Sequence, residues 1–121
     1  MGHPLDNPVW HALIGPHAQY AVGSGLARHY PRDVAPFSAI ETATPVAYAD
    51  MAIDLPPDTE ARLFRLSDEP PPDGWVKVEA FPMLQMIAKE GLVTGAAVPP
   101  HNVLTIEDVK EMMDLVAIAK P

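Results

Sequence analysis

The sequence predicts a mixed domain of the α/β type, more closely α+β: a small mixed sheet of about four to five strands with helices packed on it, then an amphipathic C-terminal helix. Three observations carry that expectation. Proline stands just inside candidate helix starts, behind capping residues, at Asn7-Pro8 and Thr44-Pro45. Short β-branched and aromatic runs are bounded by Pro, Asp and Gly, most clearly Trp75-Val76-Lys77-Val78-Glu79 behind Pro70-Pro71-Pro72-Asp73-Gly74. Finally, Thr105 with Asp108 three residues on is a capping-box-like start, and Val109, Met112, Met113 and Val116 share one helical face behind it.

Taken in order, the first helix is expected over Pro8 to Ile14, with Asp6 or Asn7 as its cap, and a second over Pro16 to Val22, leaving at Gly23-Ser24-Gly25. Trp10, Leu13, Ile14 and Tyr20 form the expected core face of this pair. Leu26 to Tyr30 and Phe37 to Ile40 read as short strands, a hairpin or close to one, around Pro31-Arg32-Asp33. Pro45 to Leu55 is helical by pattern, with Val46, Ala49 and Ile53 at core intervals and Pro56-Pro57 closing it. Strands are then expected over Arg62 to Leu66 and Trp75 to Phe81, joined by the proline-rich turn, and a further one over Leu84 to Ile87. The domain division that follows is an N-terminal α/β domain over 1–90, a Gly-, Ala- and Pro-rich linker over 91–102, and the last helix within 103–121.

Composition bounds the function. A chain of 121 residues with 48% hydrophobic content can bury about two-thirds of its unfolded surface around one core. Sixteen acidic against eight basic side chains give a net charge of -8, which repels phosphate backbones and anionic membranes, so neither nucleic acid nor a membrane is an expected partner. The absence of cysteine excludes disulfides, thiolate catalysis and cysteine-ligated zinc, and it fits a reducing cytoplasm. No apolar run approaches the roughly 18 residues of a membrane span, and the N-terminus lacks a basic region followed by an apolar one, so a cytoplasmic protein is expected. Fifteen prolines are more than twice the usual share, but they punctuate elements rather than mark disorder.

The search for chemistry assigns no catalytic, cofactor-binding or metal residue. There is no phosphate loop ending in Lys-Ser or Lys-Thr, no His-Glu-x-x-His and no Gly-x-Ser-x-Gly, since Val22-Gly23-Ser24-Gly25 has the wrong spacing. His11 and His17 would lie about 120° apart on one helix, and Gly15-Pro16 breaks that helix, so they read as imidazoles packed beside Trp10. His3, His29 and His101 lie in or near expected loops without ligand spacing. Asp68-Glu69 abuts a turn, and Glu107-Asp108 occupies a first helical turn where negative charge favours the macrodipole. Met83-Met86 and Met112-Met113 read as adaptable core, and Trp10 and Trp75 as packing residues that could also line a partner surface.

A combination of segments says more than any one motif. Pro4-Leu5-Asp6-Asn7-Pro8-Val9-Trp10-His11-Ala12-Leu13, then Gly15-Pro16-His17-Ala18, Arg28-His29-Tyr30-Pro31 and Ala35-Pro36-Phe37 resemble the N-terminal region of a bacterial subgroup of GNAT-superfamily N-acetyltransferases. Pro71-Pro72-Asp73-Gly74-Trp75, Leu84-Gln85-Met86, Leu104 to Met112 and Ala117-Ile118-Ala119-Lys120-Pro121 follow in the family's order. The resemblance spans nearly the whole chain. It implies a GNAT-like fold and a parent enzyme that transfers acetyl from acetyl-CoA to an amine, with Thr105 to Lys120 as the first helix of its catalytic core. The family's Arg/Gln-x-x-Gly-x-Gly/Ala turn, which holds the acetyl-CoA pyrophosphate on backbone amides, has no counterpart here. Leu92-Val93-Thr94-Gly95-Ala96-Ala97 has Leu where Arg or Gln is required and leads to Pro99-Pro100 instead of a helix. The chain alone is therefore expected to bind no cofactor, with a downstream GNAT core or a second chain covering its last helix. A homo-oligomer is compatible with that uncovered helix. The alternative is a free-standing acidic α/β module that binds a protein through the last helix or around Trp75.

Overall fold

The computed structural model describes residues 2–91 and 100–119. The chain divides into two compact units, Met1–Gln85 and Met86–Pro121. In the first, α1 (Pro8–Leu13), β1 (Ala27–His29), β2 (Ser38–Ile40) and α2 (Pro45–Ile53) follow one another, with single 3-10 turns at Pro4–Asp6 and Ala18–Tyr20. In the second, a 3-10 turn at Ile106–Asp108 leads into α3 (Val109–Ala119). The linker predicted over 91–102 lies for most of its length outside the described residues, as does Lys120.

β1 and β2 pair antiparallel in the register Ala27↔Ile40, Arg28↔Ala39 and His29↔Ser38. Their side chains alternate between two layers. Ala27 and Ile40 join Ala47, Tyr48 and Met51 of α2 in one cluster, to which Leu55, Ala61, Leu63 and Trp75 add their flanks. Ala39 joins Val9, Trp10 and Leu13 of α1 in the other, with Tyr30, Phe37 and Phe64 around it. A helix thus covers each face of the strand pair. Leu13, Ile40 and Met51 are almost wholly shielded from solvent, and burial on that scale is worth about 1.5–3 kcal/mol per side chain.

The predicted sheet of four to five strands is corrected, among the described residues, to this one pair. Of the strand expected over Arg62 to Leu66, only Arg62 pairs, as a parallel bridge to Phe37 in which the Ser38 N–H donates to the Arg62 carbonyl at 3.0 Å. Beyond it, Leu63 turns to the α2 cluster and Phe64 to the α1 cluster, where its ring meets Phe37 edge-on at 5.2 Å. Arg65 then reaches back: its Nη1 donates to the Ile40 carbonyl at 2.8 Å while Nε and Nη2 grip Glu69 at 3.2 and 3.1 Å. The Asn7 Nδ2 donates to the same Ile40 carbonyl at 2.8 Å.

Neither Trp75 to Phe81 nor Leu84 to Ile87 is a strand. The turn before the first is present, with the Trp75 N–H donating to the Pro72 carbonyl at 3.2 Å and Gly74 at φ +92°. Trp75 packs edge-on against Tyr48 at 5.3 Å, but Val76, Val78 and Phe81 are 85%, 72% and 72% exposed. Alternation in the sequence makes a two-faced segment there. A ladder also needs a neighbouring edge, and none among the described residues meets it.

Three local expectations also shift. The second helix predicted over Pro16 to Val22 is only the 3-10 turn at Ala18–Tyr20. Ile14 and Tyr20, placed in the core by pattern, are about half exposed. In α2, the cap is as predicted, with the Ala47 N–H donating to Thr44 Oγ1 at 3.2 Å, but the buried face is Ala47, Tyr48 and Met51, while Val46, Ala49 and Ile53 face solvent. Eight of the nine residues of Pro45–Ile53 are apolar or aromatic, so periodicity has little to select. Asp50 orients the helix instead, accepting the Leu26 N–H at 2.9 Å where the chain enters β1.

Candidate functional site

The most polar point inside the first unit is the end of the strand pair. Val22 and His29 exchange both backbone hydrogen bonds at 2.8 Å, so the His29 backbone is turned away from β2 and His29↔Ser38 is a non-hydrogen-bonded pair. Side chains approach most closely at such positions. His29 Nδ1 and Ser38 Oγ lie 2.7 Å apart, with both residues buried. Gly23, at φ +99°, closes over the ring. A Cβ there would stand 3.4 Å from His29 Cδ2 and 3.2 Å from Asp54 Oδ2.

Burial is the main influence on His29 and lowers its pKa below the ordinary value of 6.5. The Asp54 carboxylate opposes that shift, Arg32 reinforces it, and the nearby Met51 carbonyl favours the protonated ring without reaching hydrogen-bonding geometry. Nε2 accordingly has no partner. A serine, a histidine and a carboxylate are the ingredients of nucleophilic catalysis, but this arrangement does not assemble them for it. Ser38 is 1% exposed, so no substrate reaches Oγ, and Asp54 does not hold the ring through Nε2. The pair acts as a polar clasp between strands. Sequence reading set His29 in or near a loop; its alternation with Ala27 in the run Leu26 to Tyr30 is the signal that puts it inside.

The other candidates are engaged locally. His17 Nδ1 meets the Tyr30 hydroxyl at 2.7 Å, and both His17 and His11 are exposed. Trp10 is buried, with the Arg28 guanidinium 5.8 Å above its ring. His3 Nδ1 accepts the Leu5 N–H at 3.0 Å and caps the first 3-10 turn. Asp68 pairs with Lys77 and Glu69 with Arg65. Asp108 accepts the Thr105 N–H at 2.8 Å, the predicted capping geometry. Among the described residues, no group of three His, Asp or Glu side chains is placed to hold a metal ion. No described helix is long and apolar enough to cross a membrane.

The methionines expected in a core are outside it, with Met83 and Met86 strongly exposed and Met112 and Met113 both open to solvent. In the second unit no α3 residue is buried. Two shallow grooves run along this helix. Val109, Met112, Met113, Val116 and Ala117 line one; Leu104, Asp108, Glu111, Met112 and Leu115 line the other. The first follows the apolar stripe that the sequence predicts.

Comparison with protein-family models, with curated proteins and with solved structures gives no match.

Proposed function

We propose that this chain is the N-terminal part of a GNAT-superfamily N-acetyltransferase. Its parent transfers acetyl from acetyl-CoA to an amine, and this part supports the catalytic core without performing the transfer. The resemblance described above brings the activity. The structural observation that supports it is α3, whose Val109, Met112, Met113 and Val116 form an apolar face that is 38–67% exposed, on the very helix that resembles the opening of the acetyltransferase core. A helix of 11 residues gains little from its own hydrogen bonds in water, so such a face serves a surface that covers it. In this reading the remainder of the core is that surface, and it also carries the Gly-rich turn for the pyrophosphate.

Calorimetric titration with acetyl-CoA tests the reading. No heat is expected from the 121 residues alone, and saturable binding is expected once the downstream coding segment is joined to them. Tight binding by these residues alone, or no binding by the extended chain, overturns it.

A further inference from the structure

Between Gly74 and Pro82 lies a segment whose chemistry is symmetric about its middle residue. Trp75 and Phe81 are its aromatic ends, Lys77 and Glu79 its opposite charges, Val76 and Ala80 its small apolar pair, and Val78 its centre. The segment runs without helix, turn or bend, and residues 76–81 make no backbone–backbone hydrogen bond to any of the described residues. Its limits are equally symmetric. The left-handed Gly74 ends the turn before it, and Pro82, which has no N–H to donate, stops any ladder after it while holding Phe81 toward extended backbone.

We propose that this segment is the edge at which two copies of the chain join as an antiparallel strand pair, with a two-fold axis through Val78. In that register Val78 faces itself, Lys77 faces Glu79 of the second copy, Val76 faces its Ala80 and Trp75 faces its Phe81. Each half of the interface therefore offers what the other half accepts, the condition for an isologous contact. A β-branched and aromatic segment with opposite charges directly across is also the pairing that cross-strand energetics favour. Lys77 already holds Asp68 of its own chain, so in the pair its ammonium stands between two carboxylates. Trp75 rests on Tyr48, and Phe81 of the second copy would extend that aromatic contact. An unrelated partner strand would place no such demand on the order of residues from 75 to 81. The paired length is about 24 Å at ~3.4 Å per residue, a small interface, so the dimer forms and dissociates with concentration. The inference stands independently of the acetyltransferase reading.

Sedimentation velocity from low micromolar to near-millimolar concentration is expected to show a monomer–dimer equilibrium. Lys77→Glu or Glu79→Lys alone sets like charges opposite each other and should weaken the dimer by about tenfold. In an Asp68→Asn background, which removes the own-chain carboxylate beside position 77, the double exchange Lys77→Glu with Glu79→Lys restores complementarity and should return the dissociation constant to within about threefold of that of Asp68→Asn alone. Because the chain has no cysteine, cross-linking reads the register directly. Val78→Cys should oxidise to a covalent dimer, Val76→Cys alone should not, and a mixture of Val76→Cys with Ala80→Cys should give the mixed dimer. Native protein that stays monomeric throughout overturns the proposal. So does a dimer indifferent to the charge reversals, or one in which Val76→Cys cross-links as readily as Val78→Cys.

Discussion

Acidification should loosen the unit formed by residues 1–85 through a single buried side chain. Burial sets the folded pKa of His29 below the ordinary 6.5. Between those two values the unfolded chain holds a proton on this ring that the folded chain does not, and stability rises with pH wherever the unfolded state binds more protons. The contribution of His29 is therefore intact above the unfolded pKa and is lost as pH falls from there toward the folded pKa, below which this group adds no further loss. For one proton the slope cannot exceed about 1.4 kcal/mol per pH unit. Carboxylates titrate nearby, so the informative quantity is the difference between native protein and His29→Asn, measured by urea denaturation from about pH 5 to about pH 7.5. Tryptophan fluorescence suits the assay, because Trp10 sits in the α1 cluster and Trp75 flanks the α2 cluster. At neutral pH, Ser38→Ala should also cost about 1–3 kcal/mol, since it removes the partner of Nδ1 from a ring whose Nε2 already has none. A native-minus-variant difference that is flat across the range, or a neutral Ser38→Ala, refutes the buried, neutral imidazole.

Adjacent residues on α1 and its C-cap should respond very differently to truncation. Leu13→Ala is expected to cost about 2–5 kcal/mol and Ile14→Ala about 0.5 kcal/mol or less, because Leu13 is 1% exposed and Ile14 47%; equal shifts in thermal midpoint would contradict the packing described. Gly25→Ala should cost about 1–3 kcal/mol, since φ is +67° there and the new Cβ would press on the Asp50 carboxylate that accepts the Leu26 N–H. Adding Asp50→Ala should then cost less in the Gly25→Ala background than in the native protein, as read by urea midpoints.

Local chemistry was the legible part of this sequence. Thr44-Pro45 opens α2, Thr105 and Asp108 cap the helical stretch that leads into α3, and the runs around Ala27 and Ala39 pair as strands, because each signal acts within a few residues. What depends on a distant neighbour was not. No pattern in Arg62 to Leu66 says that only Arg62 will pair, since the outcome turns on Phe64 and Arg65 finding Phe37 and the Ile40 carbonyl across the fold. Periodicity does not select the face of α2 for the same reason: its apolar residues nearly encircle it, and the choice is made by Asp50 and by Trp75 on Tyr48. Neither His29 nor Ser38 is unusual alone, so the sequence does not mark the clasp they form. It exists only in the register that sets them opposite.

The shared carbonyl of Ile40 carries a different kind of consequence. Asn7 and Arg65, far apart in the chain, both donate to that one backbone oxygen. Every residue type presents this acceptor, so drift at position 40 leaves the junction chemically unchanged, while positions 7 and 65 have no such latitude. An aliphatic replacement of Ile40 would be judged by its volume alone. A replacement of Asn7 or Arg65 would be judged by whether it can still donate. The constraint on this tie therefore falls on two partly buried polar side chains rather than on the identity of the fully buried residue at its centre.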